Sequence, residues 1–171
     1  MPRINVPGSG HKAPLPTAGY RWLPFSDATH LAAVQKAFGV IDARIKGHEP
    51  CNAAFKALPG GRTFADLWAD PNVWVSFDPD GRATSFGGTF GKEITLSAYA
   101  CRMGLWTLVA TLVHELAHVG GVHGPNNAAE ATLKACLMRA HYNPYIIGSL
   151  SSSERSSTLV AANRGGSSGV A

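Results

Sequence analysis

The sequence predicts an α+β fold in which a small, mostly antiparallel sheet packs on one central helix with additional helices around it. Two observations carry this prediction. Apolar residues recur at three- and four-residue steps before residue 60 and after about residue 103, and β-branched and aromatic residues concentrate between residues 73 and 98. With 171 residues, 45% of them hydrophobic, the chain is long enough for one domain with a sizeable core.

Proline and glycine dominate the start of the chain, so residues 1–24 are interpreted as an extended lead-in or linker. His11 lies in this segment and is expected to be solvated. The segment begins without the apolar core of a signal peptide, so export by the usual leader is not expected. Residues 149–171 are rich in serine and glycine and are predicted to be disordered, which leaves residues 25–148 as the domain.

Three helices are predicted before residue 71. Asp27 is a candidate N-cap for the first, an amphipathic helix that continues to about residue 45. Residues 50–58 predict a second, short helix, and Thr63 with Asp66 has the pattern of a capping box that opens a third. Two histidines in this half are expected to be ordinary surface or core residues: His30 and His48.

Three strands are predicted next, at residues 73–77, 82–86 and 93–98. Residues 78–81, with the sequence Asp-Pro-Asp-Gly, are a strong turn signal between the first two strands. Turn formation explains these aspartates better than calcium binding, because the spacing of an EF-hand loop is absent.

An HExxH motif lies in the most apolar stretch of the chain, a helix predicted from about residue 103 to the Gly120-Gly121 pair. On a helix, His114 and His118 lie one turn apart on the same face, so both imidazoles can bind one metal ion. Glu115 lies beside the first ligand, where it can deprotonate a zinc-bound water without binding the metal itself. The pattern therefore predicts a catalytic Zn²⁺ site with Glu115 as general base.

A catalytic zinc needs a third protein ligand, and two candidates follow the motif. Glu130 is favoured because it shares an inward face with Leu133 and Leu137 on the next predicted helix, residues 128 to about 142. If Asn127 caps that helix, Glu130 could instead complete a capping box. His123 is the alternative ligand, although the metzincin pattern places its third histidine at position 124, which is a glycine here.

The predicted chemistry is hydrolysis of a peptide bond. Zinc lowers the pKa of its bound water and polarises the carbonyl, while Glu115 accepts the proton and then delivers it to the leaving amine. The strand before the active helix, residues 94–97, is expected to pair with an extended peptide substrate. Four downstream residues are equivalent candidates for stabilising the oxyanion: Arg139, His141, Tyr142 and Tyr145.

The composition argues against other classes of function. The net charge is +4, but the fifteen Lys and Arg residues are scattered, so nucleic-acid binding is not expected. The most apolar window, residues 105–119, is too short and too polar for a membrane span. Cys51, Cys101 and Cys136 have no CxxC spacing, so one disulfide with a free thiol and three buried thiols both stay open.

The order His114-Glu115-x-x-His118 and then Glu130 resembles the gluzincin-like members of the zincin superfamily of metallopeptidases. The longer stretch from Asn72 to Met138 resembles the metallopeptidase toxin domains attached to spike proteins of bacterial type VI secretion systems. This resemblance implies a zincin-like fold and an antibacterial effector that acts in the periplasm of a neighbouring cell. It also implies an immunity protein in the producer and a secretion spike as carrier.

Two other interpretations stay open at this point. A cytoplasmic housekeeping or regulatory zinc protease would carry the same motif. A non-enzymatic binding module would use zinc structurally, with four protein ligands, whereas a catalytic zinc keeps an open position. For the enzymatic interpretations the expected partner is a protein or peptide substrate, and the peptide stems of peptidoglycan are included among the candidates.

Overall fold

A computed structural model describes residues 1–14, 20–80, 85–123 and 128–137 of the chain. It confirms the α+β class. The elements in chain order are β1 Arg3–Ile4, α1 Ala28–Val40 with a π-helical continuation Ile41–Ile45, α2 Glu49–Lys56, α3 Phe64–Trp68, β2 Trp74–Asp78, β3 Gly87–Phe90, β4 Glu93–Ser97, α4 Ala98–Met103, α5 Leu105–Val119 and α6 Ala128–Leu137.

The four strands form one mixed sheet in the order β1-β2-β4-β3. β1 and β4 both run parallel to β2, and β3 and β4 form the antiparallel pair. The prediction of a mostly antiparallel sheet was therefore wrong. The reason is topological, because the chain passes β4 back between β2 and β3 instead of adding it at the edge.

This topology also overturns the prediction that residues 94–97 pair with a peptide substrate. β4 lies inside the sheet with both edges occupied, by β2 and by β3. Among the described strands, β3 is the one on this side with a free edge. The strand expected at residues 82–86 is found at Gly87–Phe90 instead, and residues 81–84 lie outside the described residues.

The N-terminal segment differs from the predicted lead-in, because its described residues belong to the domain. The Arg3 amide donates to the Val73 carbonyl at 2.8 Å, which adds β1 to the sheet, and Trp22 is buried in the core. His11 is not solvated: its ring stacks on Trp74 with 4.0 Å between centroids. Its Nε2 lies 3.0 Å from a Glu93 carboxylate oxygen. A two-residue strand leaves enough room on either side for the prolines, which explains how this composition still enters a sheet.

The helix starts follow the sequence signals closely. The Asp27 side chain accepts a hydrogen bond from the His30 amide, and Thr63 with Asp66 forms the predicted capping box. α4 was not predicted as a separate helix; the Ser97 hydroxyl caps it by accepting from the Ala100 amide at 3.0 Å. Local capping chemistry therefore fixes the element boundaries even where the sequence pattern is short.

α5 forms the centre of the helical layer. It packs against α1, α4 and α6 and against strands β3 and β4. Three of its large apolar side chains are completely or almost completely buried: Leu108, Leu112 and Leu116. Because α5 carries the HExxH motif, the site is attached to the most constrained element of the described fold.

The cysteines resolve into one disulfide and one free thiol. Cys51 on α2 is bonded to Cys136 on α6, across 85 residues of sequence. Cys101 on α4 is a free thiol, and burial raises its pKa to about 11. The bond therefore joins the helical half of the chain that precedes the sheet to the helix that follows the HExxH motif.

Asp70 anchors the turn that leads into β2. Its Oδ2 accepts from Lys92 Nζ at 2.8 Å and from Arg62 Nη1 at 3.1 Å, and its Oδ1 accepts from the Asn72 amide at 2.9 Å. The Lys92 and Asn72 hydrogen bonds, more than the Arg62 bond, hold the pKa of Asp70 well below its usual value of 3.8. The stability gained from this carboxylate is therefore present above about pH 4 and is lost as the pH falls further.

Replacing Asp70 by Asn is expected to lower the free energy of unfolding at pH 7 by about 1.5–3 kcal/mol, because charged hydrogen bonds to a buried acceptor are lost. Urea unfolding at pH 7 and at pH 3 measures the effect, which should shrink at the lower pH. Asp80→Asn is the matched control. Its ion pair with Arg21 is exposed at both ends, so it should cost less than about 1 kcal/mol. Equal losses of unfolding free energy in the two variants would contradict a stabilising role for the hydrogen bonds of Asp70.

Candidate metal centre

α5 brings the two histidines of the motif together. Nε2 of His114 lies 3.1 Å from Nε2 of His118, so the two nitrogens face the same small space. Zn–N bonds are about 2.0–2.1 Å long, and one ion can therefore contact both nitrogens at this separation. The donor chemistry of the pair fits Zn²⁺.

The orientation of His118 is fixed from behind. Its Nδ1 lies 2.8 Å from the main-chain carbonyl oxygen of Val122. A carbonyl can only accept a hydrogen bond, so Nδ1 carries the proton and Nε2 presents its lone pair. Val122 reaches this position because the chain turns sharply at Gly121, whose φ of 98° favours glycine.

Glu115 lies at the wall of the site and is only 6% exposed. The Thr89 hydroxyl, on β3, donates to Glu115 Oε2 at 2.7 Å and lies 3.1 Å from the Glu115 carbonyl oxygen. Burial raises the pKa of Glu115 above its usual value, with the electrostatic interaction with the neighbouring His114 and the Thr89 hydrogen bond opposing this shift. The carboxylate is thus oriented by the neighbouring strand and is a stronger base than an exposed glutamate.

Glu130 approaches His114 from the other side of the ring. Its Oε1 lies 3.6 Å from His114 Nδ1, too far for a hydrogen bond, and that buried nitrogen has no hydrogen-bond partner among the described residues. A carboxylate on the Nδ1 side of His114 has the position of an outer partner that holds this ring, because a metal shared with His118 would lie on the Nε2 side. Glu130 as third ligand therefore stays a prediction.

His123 is exposed and lies at the mouth of the cleft. Within the described ranges, no three His, Cys, Asp or Glu side chains converge closely enough to hold a metal ion together. The predicted cap residue Asn127 and the tail that was predicted to be disordered, residues 149–171, lie outside the described residues. So do the four candidate oxyanion donors, Arg139, His141, Tyr142 and Tyr145.

The site opens into a cleft of about 710 Å³. One wall is β3, where glycine is required at position 87: a Cβ there would lie 2.6 Å from the Thr95 carbonyl oxygen. Tyr20 covers the neighbouring Gly88, whose Cβ would lie 2.7–2.9 Å from the Tyr20 ring. The glycines let a backbone and an aromatic ring approach β3 closely, and they shape the cleft.

Sequence reasoning missed Thr89 and Tyr20 as site residues. Thr89 precedes Glu115 by 26 residues, and Tyr20 falls in the segment interpreted as a lead-in. The glycines around Thr89 were the available signal, because glycine inside a strand marks a close backbone approach.

The end of the motif helix is held by a second backbone contact. The Gly60 amide donates to the Gly120 carbonyl at 2.9 Å, and a Cβ on Gly60 would lie 2.7 Å from that same oxygen. Gly60→Ala is therefore expected to lower the free energy of unfolding by about 1–3 kcal/mol, because a backbone must shift. Thermal unfolding followed by circular dichroism measures this.

Gly39→Ala is the control for the Gly60 variant. Gly39 is exposed on α1, and a Cβ there would meet no atom within 4 Å. Alanine should stabilise this helix by about 0.5–1 kcal/mol. A Gly60→Ala protein as stable as the wild type would show that the contact with Gly120 tolerates displacement.

No family model, characterised protein or solved structure matches this chain. In the described residues, no helix combines the length and the apolar character needed to cross a membrane.

Proposed function

We propose that this chain is a zinc-dependent peptidase. One arrangement carries the proposal: two imidazole nitrogens face each other 3.1 Å apart, beside a buried glutamate that a neighbouring strand holds at the wall of an open cleft. Two nitrogen donors for a metal and an adjacent base are the parts that metal-assisted hydrolysis requires.

His114 and His118 would hold the zinc, with Glu130 or His123 as the remaining protein ligand. When bound, Zn²⁺ supplies a Lewis acid that polarises a carbonyl and makes water a better nucleophile at neutral pH. As described, the Glu130 carboxylate lies beside the unpartnered Nδ1 of His114, where it would accept from this nitrogen and orient the ring; to bind the metal it would have to move to the Nε2 side.

The remaining steps belong to side chains of this chain. Glu115 accepts a proton from the attacking water and returns it to the leaving amine, and its raised pKa suits both transfers. Thr89 keeps the carboxylate in one orientation, so that no reorganisation precedes the proton transfer. The free edge of β3 would align an extended peptide along the cleft through main-chain hydrogen bonds.

The cleft favours the enzyme over a structural zinc module. A structural zinc is enclosed by four protein ligands, whereas the pair formed by His114 and His118 borders an open space of about 710 Å³. A space of this size accommodates a substrate.

The biological setting is proposed from the resemblance to type VI secretion toxin domains. On that proposal the protein is an antibacterial effector that reaches the target periplasm on a secretion spike, and an immunity protein neutralises it in the producer. Its substrates would be proteins or the peptide stems of peptidoglycan.

Zinc content per chain tests the proposal most directly. Mass spectrometry should find about one zinc per wild-type chain, little in a His114→Ala/His118→Ala variant, and full occupancy in His123→Ala if Glu130 is the ligand. Glu130→Ala should then lose most of its zinc. A wild type that takes up no zinc after incubation with the metal would overturn the peptidase proposal.

A further inference from the structure

The helix that carries Glu130 depends on a covalent link to a distant part of the fold. α6 packs on α5, which carries the histidines, and on α2, to which Cys136 is bonded through Cys51. Glu130 lies at the start of α6 and Cys136 near its end, so one ten-residue helix connects the disulfide to the site. The position of this helix therefore determines whether the Glu130 carboxylate lies beside His114.

α6 is too short to be stable by itself. Isolated helices below about 12–15 residues are marginal in water, so α6 keeps its shape through tertiary contacts. Its buried face is one stripe that comprises five of its ten residues: Ala129, Thr132, Leu133, Cys136 and Leu137. Without the covalent bond, this stripe alone would hold α6 against local opening, and small packed units of this kind open at lower free energy than the core.

We infer that the Cys51–Cys136 disulfide makes the metal centre depend on an oxidising compartment. When the disulfide is formed, it fixes α6 and places Glu130 beside His114. When it is reduced, α6 and Glu130 are no longer held in these positions. This inference rests on the proposed function and names a regulation of the same site. The reducing cytoplasm keeps thiols reduced, whereas the periplasm is oxidising. A chain made in one compartment and active in the other would thus complete its site only after delivery.

The reduction requires a dithiol as co-reactant. The dithiol transfers two electrons and two protons, the bond between the two sulfurs breaks, Cys51 and Cys136 become thiols, and the dithiol closes into its own disulfide. Both cysteines are almost completely buried, so α6 must open before the reductant can attack. Cys101 does not take part, because its pKa of about 11 keeps it a neutral thiol near pH 7 and the thiolate is the attacking form.

The test measures zinc affinity with a chromophoric chelator as competitor for Zn²⁺. A Cys51→Ala/Cys136→Ala variant is compared with wild type and with the control Cys101→Ala. We expect the double variant to bind zinc about 10- to 100-fold more weakly, the range for losing a partner of a metal-bound histidine. Cys101→Ala should match wild type. Adding Glu130→Ala to the double variant should cause little further loss, because both changes act through the same helix.

Hydrogen exchange shows whether the double variant has a local or a global defect. Residues 128–137 should lose more protection than α5, whose exchange rises only as far as the lower global stability requires. Wild type reduced with a dithiol, then desalted without oxygen, should behave likewise and recover on reoxidation. Undiminished zinc affinity, or exchange that rises equally in α5, would overturn the inference. Zinc binding that depends on the disulfide, without any peptide hydrolysis, would contradict the proposed function alone. Peptide hydrolysis that does not change when the disulfide is reduced would contradict this inference alone.

Discussion

Replacing Glu115 by Gln should lower the kcat of the zinc-loaded protein on a fluorogenic casein by about 10²- to 10⁴-fold, the usual contribution of a general base. Glutamine keeps the shape of the side chain and can still accept the Thr89 hydrogen bond, but it cannot take a proton at neutral pH. Zinc content should not change, because Glu115 is not among the metal ligands proposed. Activity within tenfold of wild type at full zinc occupancy would rule out Glu115 as the base.

Thr89 provides a graded control for the same experiment. Thr89→Ser keeps a hydroxyl and should retain most activity, whereas Thr89→Val keeps the shape, removes the donor and leaves a buried carboxylate oxygen unsatisfied. If Thr89→Val loses activity and Thr89→Ser does not, the hydrogen bond to Glu115 and not packing on β3 is the cause. In cells, periplasm-directed wild type should be toxic and Glu115→Gln harmless; equal harmlessness would contradict the effector setting while leaving the peptidase intact.

The parts of this fold that depend on local chemistry could be predicted from the sequence. Asp27 and Thr63 cap helices where their spacing indicates, because a capping side chain and its amide lie within one turn. The same holds for His114 and His118, since a helix fixes the relation between residues four apart. These predictions needed no knowledge of how distant segments meet.

The parts that depend on long-range pairing could not be predicted in the same way. The hydrogen bond from Thr89 to Glu115 needs the position of β3 at the sheet edge, and the role of Tyr20 needs a proline-rich segment to return over the sheet. The strand order could not be predicted for the same reason, because the alternation of apolar and polar residues within β4 does not reveal which strands lie beside it. Composition, moreover, describes a segment on average, while two residues suffice for β1.

The link between Cys51 and Cys136 is expected to contribute more to stability than any single contact described above. Closing a loop of 85 residues removes chain entropy from the unfolded state, and the loop-closure relation gives about 4.5 kcal/mol at 25 °C. The Cys51→Ala/Cys136→Ala variant should therefore melt about 10–20 °C lower than wild type, as followed by calorimetry or circular dichroism.

Cys101→Ala separates this effect from the loss of a buried sulfur. Cys101 is a partly buried free thiol, so its removal deletes side-chain volume without opening a covalent loop, and a shift of only a few degrees is expected. If wild type reduced by a dithiol melts at the same temperature as the double variant, loss of the covalent link is the cause of the lower melting temperature. If instead the double variant melts at the same temperature as Cys101→Ala, the buried face of α6 is sufficient to hold this helix, and the disulfide contributes little to the stability of the fold.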